Sequence, residues 1–367
     1  MTDLNFEELF FLFNQTNQSL ENFPKYIIPD GTEVRSDGFK VTRILISIVY
    51  LIVCVLGLVG NLLVLCLLQS KYAKKKSTMT ILVMGLAVTD FQFVLTLPFW
   101  AVDTALDFSW PFGNIMCKLV SSVTVMNMYA SVFFLTVMSI TRYCSVAQSL
   151  KMKTPSSGHS DKFLCISIWV VACIATLPHA IYSTTVAVVD EELCLVKFPD
   201  LHNDPQFWFG LHQLSKVLVG FILPLIIISV CYILLLRFVN RKKMSCNNPK
   251  RTSKVTRSVA IVVLSFFICW LPNQALTVWS AFIKLNVVEF TGAFYTTQAY
   301  IFPISICLAH SNSCLNPILY CFMRREFRAA LRELLLKVTP IRQIRPLMPS
   351  LASSKRRQMP VIITMSK

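Results

Sequence analysis

Ile44-Leu45-Ile46-Ser47-Ile48-Val49-Tyr50-Leu51-Ile52-Val53-Cys54-Val55-Leu56-Gly57-Leu58-Val59-Gly60-Asn61-Leu62-Leu63-Val64-Leu65-Cys66-Leu67-Leu68 carries no charge, and Lys71, Lys74, Lys75 and Lys76 follow it closely. A helix needs about 20 apolar residues to cross the hydrocarbon of a bilayer, and this run supplies them. It is apolar all round, so it does not fit the amphipathic helices of soluble domains. Six further blocks repeat the pattern at 79–102, 115–140, 163–182, 217–236, 259–282 and 293–322. Hydrophobic residues make up 54% of the 367 and charged ones 15%, against roughly a quarter charged in soluble domains. Open strands would leave backbone groups unpaired in lipid. The expected fold is therefore an all-α membrane protein, a seven-transmembrane helix bundle.

The formal charge of +16 does not signal nucleic-acid binding, because its distribution follows the spans. One face collects fifteen acids against eight bases; the other has 27 bases against three acids, and Asp90 stands apart inside a span. Excess Lys and Arg mark the cytoplasmic side, which puts the amino terminus outside and, with an odd number of spans, the carboxyl terminus inside. Residues 1–40 then form an extracellular tail, with glycosylation acceptors at Asn14 and Asn17. No apolar run precedes the first span, so no cleavable signal peptide is expected. Residues 41–322 form the membrane domain. Arg324, Arg325, Phe327, Arg328, Leu331 and Leu335 suit a short cytoplasmic amphipathic helix over 323–336, lying on the inner leaflet. A basic, disordered cytoplasmic tail is expected over 337–367.

A carboxylate at bilayer depth needs partners or water, so Asp90 is the costliest residue of the chain. Asn61, Asn127, Ser131, Asn312, Ser313 and Asn316 supply polar groups in other spans. Two readings stay open: a structural hydrogen-bond knot, or a sodium or proton site tied to conformational switching. Pro98, Pro178, Pro224, Pro272, Pro303 and Pro317 each remove a backbone donor and are expected to kink their helices.

Asn61, Asp90, Arg142-Tyr143, Trp169, Pro224 with Tyr232, Cys269-Trp270-Leu271-Pro272 and Asn316-Pro317-Ile318-Leu319-Tyr320 occur in order, one signature per span. The set resembles the rhodopsin-like (class A) G-protein-coupled receptors. That resemblance implies a sodium pocket of Asp90, Asn127, Ser131, Asn312 and Asn316, with no other cofactor. It implies a toggle at Trp270, a switch role for Tyr320, coupling through Arg142, Tyr143 and Tyr232, and a Cys117–Cys194 disulfide. A heterotrimeric G protein and arrestin are the implied inner partners, beside anionic membrane lipids drawn to the bases. The chain departs from the wider class at Thr141, where an acid is usual before the arginine. The resting state is then expected to rest on packing and neutral hydrogen bonds, with raised basal signalling as the consequence.

For the ligand, Thr124 stands about five turns above Arg142, where an amine receptor has an aspartate, and residues 293–323 contain no lysine for a retinal Schiff base. What remains is an acidic mouth. Asp103 and Asp107 are four apart and would share a helix face, while Asp190-Glu191-Glu192 precedes Cys194. Such a run is either a solvated face or a lure for a cationic ligand. Trp100, Trp110, Trp279 and Phe302 offer aromatic surfaces, and Lys216 suits a carboxylate.

Leu97-Pro98-Phe99-Trp100-Ala101-Val102, Ala105-Leu106-Asp107-Phe108, Trp110-Pro111-Phe112-Gly113, Asn127-Met128-Tyr129-Ala130-Ser131-Val132-Phe133, Glu192-Leu193-Cys194-Leu195-Val196 and Leu308-Ala309-His310-Ser311-Asn312-Ser313-Cys314 narrow the match. They are similar to the relaxin-3 receptor group over roughly residues 40–335. The resemblance implies a relaxin/insulin-like peptide ligand and Gi/o coupling that lowers cyclic AMP. Peptide arginines would pair with Asp103, Asp107 and Glu191, and a terminal tryptophan would enter near Trp100, Thr124 and Trp279, with Lys216 at its carboxylate. Thr96-Leu97-Pro98-Phe99 also resembles chemokine and angiotensin receptors, so another basic peptide stays open. A transporter would show a line of intramembrane charges, which is absent. No nucleophile–base pair or metal-ligand spacing suggests an enzyme, and His179, His212 and His310 look isolated and structural.

Overall fold

The computed structural model describes residues 33–69, 78–148, 158–188, 191–199, 205–242, 249–323 and 332. The two glycosylation acceptors, Asp190, most of the amphipathic segment 323–336 and the basic tail lie outside the described residues.

Ten α-helices, two short π segments and one β-hairpin make up these residues. The first span is α1, Glu33–Gln69, and the second is divided into α2, Thr78–Val94, and α3, Leu97–Ala105. The third and fourth are single helices, α4 (Gly113–Gln148) and α5 (Gly158–Tyr182). Strands β1, Ser183–Val188, and β2, Glu191–Val196, then pair antiparallel, with Thr185 opposite Cys194. The fifth span joins α6, Pro205–Val217, to α7, Leu223–Lys242, through a π segment at Leu218–Ile222. The sixth is α8, Pro249–Lys284. The seventh joins α9, Gly292–Thr296, to α10, Phe302–Met323, through a second π segment at Thr297–Ile301.

Six helical stretches are long and apolar enough to cross a membrane: Lys40–Gln69, Thr78–Ala105, Gly113–Ser145, Asp161–Tyr182, Pro205–Phe238 and Ala260–Lys284. The seventh span falls short because His310, Ser311, Asn312, Ser313 and Asn316 lower its hydropathy. Four of those five are buried, and Ser311 donates to the Cys307 carbonyl one turn back. Burial and that hydrogen bond accommodate the groups that made the segment polar. Leu, Ile and Val side chains such as Leu51, Ile52, Val55 and Val59 of α1 are exposed and form the lipid-facing belt.

The prolines act in two ways. Pro224 and Pro303 each begin two residues after a π segment, and the amides just before them, Leu223 and Phe302, bond five residues back to Leu218 and Thr297. A proline offers no amide to the carbonyl four residues earlier, and one wide turn absorbs the mismatch. At Pro98 the second span breaks into a turn instead, where Thr96 donates from both its amide and its hydroxyl to the Phe93 carbonyl. Pro178, Pro272 and Pro317 sit inside unbroken helices.

Close packing at the waist depends on missing side chains. A Cβ on Gly85 of α2 would lie 2.4 Å from the Phe134 ring of α4, and one on Gly57 of α1 would lie 2.6 Å from Val94. Phe134 in turn meets Trp169 of α5 edge-on at 6.3 Å. The core runs from Val64 and Leu82 through Met128, Leu135 and Ile228 to Phe266 and Trp270, and a second cluster around Ile46, Tyr50, Phe93, Leu97 and Cys307 joins α1, the second span and α10.

Candidate functional site

The hairpin caps one end of the bundle. Cys117, near the start of α4, is disulfide-bonded to Cys194 of β2. Three further ties hold the cap: Trp110 N–H donates to the Glu192 carbonyl at 2.6 Å, Lys118 Nζ donates to the Ser183 carbonyl at 2.5 Å, and Thr185 N–H donates to Asn114 Oδ1 at 3.2 Å. The sequence placed a loop here and gave no sign of paired strands, because the pairing is set by this docking rather than by a local turn motif.

Beneath the hairpin lies a cavity of about 410 Å3. Trp100, Asp103 and Thr124 come from the second and third spans, Lys216 from α6, Trp270 from α8, and Phe302 and His310 from α10. Asp103 is 6% exposed and makes no hydrogen bond or ion pair among the described residues; its carboxylate lines the cavity. Thr124 is occupied in positioning: its hydroxyl accepts from Trp100 Nε1 at 3.0 Å and donates to the Val120 carbonyl at 2.9 Å. The indole is thereby fixed as one wall of the cavity.

Several expected site residues are placed differently. Helix α3 ends at Ala105, and Asp107 and Phe108 adopt left-handed backbone angles of 62° and 65°. Asp103 and Asp107 therefore do not share a helix face: Asp107 turns to α1, where its carboxylate is ion-paired with Arg43, and it does not line the cavity. Burial pushes the Asp107 carboxyl up from its ordinary range, Arg43 and Lys40 pull it down, and Glu191 adds a further rise. Glu191 itself is exposed at the rim and accepts from the Ser109 hydroxyl.

Trp110 is fully buried beside Cys117 and Val120 and offers no surface to a ligand. Its Nε1 donates to the Gly113 carbonyl at 3.0 Å, so the indole serves the turn into α4. Trp279 also stays out of the cavity wall; its ring meets Phe294, which does line it, at 5.2 Å.

The histidines are not isolated. His179 and His212 stack at 6.0 Å, and His310 packs between Tyr50 and Phe93 at 5.5 and 5.0 Å. His179 and His310 both line the cavity, and each leaves its Nδ1 without a partner among the described residues. Gln274 Oε1, Gln298 Nε2 and Trp270 Nε1 are likewise buried and unpartnered around the same space. Sequence reading missed Tyr50, Gln274, Gln298 and Arg43. Polar residues inside apolar spans were the available signal for the glutamines; Arg43 resembled any other base flanking a span.

A second polar site lies deeper. Asp90 is completely buried; its Oδ2 accepts from Asn316 Nδ2 at 2.8 Å and its Oδ1 from Asn127 Nδ2 at 3.2 Å. Asn127 also reaches Ser131 Oγ at 3.4 Å, and Ser131 contacts Thr89 Oγ1 at 3.4 Å. Asn61 Nδ2 bridges the Gly57 carbonyl, at 2.9 Å, and the Ser313 carbonyl, at 3.0 Å, tying α1 to α10. The amide oxygens of Asn312 and Asn316 are buried and have no partner among the described residues. A carboxylate near spare amide oxygens is a hard, oxygen-rich set that fits a small hard cation. At the far end, Arg142 and Tyr143 of α4 are half-buried, as is Tyr232 of α7. Tyr320 lies at the end of α10, where its side chain is outside the described residues.

A bundle of seven membrane helices, a disulfide-pinned hairpin over a cavity and a buried polar site around Asp90 define a class of membrane receptor. The family model described as the 7 transmembrane receptor (rhodopsin family) matches residues 60–320, and the chain belongs to that family. It is a multi-pass plasma-membrane receptor, and its relatives are receptors rather than enzymes. Within the family it stands near the relaxin-3 receptor group. It is 56% identical over 327 residues to the Relaxin-3 receptor 1 of Homo sapiens, covering 81% of this chain and 70% of that protein. It is 40% identical over 307 residues to the human Relaxin-3 receptor 2, covering 82% and 80%. The Type-1 angiotensin II receptor B of Xenopus laevis is 35% identical over 299 residues, covering 81% and 80%.

Proposed function

We propose that the chain is a cell-surface receptor for a basic relaxin/insulin-like peptide of the relaxin-3 type, that the hairpin end faces outward, and that Gi/o proteins couple at the Arg142 end to lower cyclic AMP. The observation that carries this reading is the buried carboxyl group of Asp103 lining the cavity, with no hydrogen bond or ion pair among the described residues, since such a group is held as a carboxylate only when a cation sits beside it. The higher identity to relaxin-3 receptors than to an angiotensin receptor supports the same ligand class. With a peptide arginine at Asp103, Trp100 and Phe302 in the same cavity suit an aromatic residue, and Lys216 suits a terminal carboxylate. The charge pattern supports the orientation, with the basic face inside.

We also infer that Asp90, Asn127, Ser131, Asn312 and Asn316 would hold a sodium ion, whose charge would balance the carboxylate. The protein's part is to present oxygens without a charge partner and to shield them from lipid. Arrestin at the Arg142 end and anionic lipid at the basic face complete the partners.

The test is forskolin-raised cyclic AMP in cells displaying the receptor. Relaxin-3 should lower it, and pertussis toxin should abolish the effect. A displayed receptor that ignores the peptide would overturn the ligand class; a response that survives the toxin would overturn the Gi/o coupling.

A further inference from the structure

The rim between α1 and the hairpin is crowded with charge. Arg43 of α1 is ion-paired with Asp107, the Arg43 side chain being 10% exposed and that of Asp107 33%. Lys40 and Glu191 both lie within electrostatic reach of Asp107. Just inside this pair, Ile46, Tyr50, Asp103 and Phe108 line the α1 side of the cavity. Of the acids expected to catch a cationic ligand, Asp103 stands open to the cavity, whereas Asp107 is already held by a guanidinium from the receptor's own chain.

We infer that Arg43 is a built-in competitor for the ligand's arginine at Asp107, and so a specificity-determining residue of the peptide site. The inference rests on the peptide reading above. A planar guanidinium matches a carboxylate through two parallel donors, which an ammonium does not. An arginine of the ligand that reaches Asp107 therefore exchanges one charge-assisted contact for another of the same kind. The exchange is close to neutral, so Asp107 adds little net affinity while Arg43 is present, and Asp103, which has no competitor, adds more. A ligand offering only an ammonium there meets a better-matched rival and is disfavoured. The acid thus rejects weaker cations as well as attracting the right one, since specificity is a difference between affinities. The backbone allows the arrangement because the left-handed angles at Asp107 and Phe108 end α3 and swing the carboxylate toward α1. Asp tolerates that conformation better than bulky residues do.

The test is displacement of labelled relaxin-3 on intact cells, comparing wild type, Arg43→Gln, Arg43→Lys, Asp107→Asn and the double variant Arg43→Gln/Asp107→Asn at matched surface display. Arg43→Gln should bind about two- to fivefold more tightly, the range of a partly exposed ion pair, and Arg43→Lys should fall between it and wild type. The gain should vanish in the double variant and for at least one relaxin-3 analogue carrying a single citrulline in place of arginine. Equal or weaker binding by Arg43→Gln, with wild-type binding intact, would overturn the inference and leave Arg43 a strut between α1 and the loop. A displayed wild type that binds no relaxin-3 would overturn the peptide reading and this inference together.

Discussion

At the scale of single residues, burial without a partner separates the acids. Asp90 is buried with two amide donors, Asp103 is buried with none, and Asp107 is half-exposed and ion-paired. Sequence flagged all three, because a carboxylate in or beside an apolar span is costly wherever it falls. It could not rank them, since the difference lies in which side chains of other spans reach them. If Asp90 is the sodium anchor, peptide affinity should change at least threefold when sodium chloride replaces choline chloride, and Asp90→Asn should remove that dependence. A retained dependence in the variant would return Asp90 to a structural knot. Thr124 shows a subtler limit. Its place on the cavity wall is observed, but its hydroxyl is spent on the Trp100 indole, a contact between helices that no local pattern encodes.

At the scale of elements, the apolar blocks located every span, and their edges moved only where polar residues belong to a helix. The fifth span begins at Pro205 rather than near Val217, because α6 carries His212, Gln213 and Lys216 toward the protein interior. The prolines were legible as disruptions, but the form of each depended on what could replace the missing donor: a π turn before Pro224 and Pro303, an open turn before Pro98. The i, i+4 argument for Asp103 and Asp107 failed for the same reason, since the helix stops between them. Contacts between elements carry testable cost. Gly85→Val should drive a methyl into the Phe134 ring and destabilise the receptor by about 1–3 kcal/mol, the usual cost of overpacking. The measurement is thermal unfolding in detergent; an unchanged midpoint would mean that α2 and α4 separate freely, against the 2.4 Å approach.

At the scale of the whole molecule, the fold was the most legible part, because lipid imposes helices on a chain with blocks this long and apolar. The site was legible as a list and not as a volume. Asp103, Trp100, Thr124 and Lys216 do converge on one cavity, Trp279 and Trp110 do not, and Tyr50, His310 and the two glutamines join it. One carboxyl group in the cavity beneath the hairpin, that of Asp103, is therefore central to the peptide reading. The most direct measurement is saturation binding of labelled relaxin-3 to wild type and to Asp103→Asn at equal surface display. The account predicts saturable binding to wild type and a roughly 10- to 100-fold loss in the variant, as expected for a buried hydrogen bond to a charged group. Undiminished binding by Asp103→Asn would contradict it.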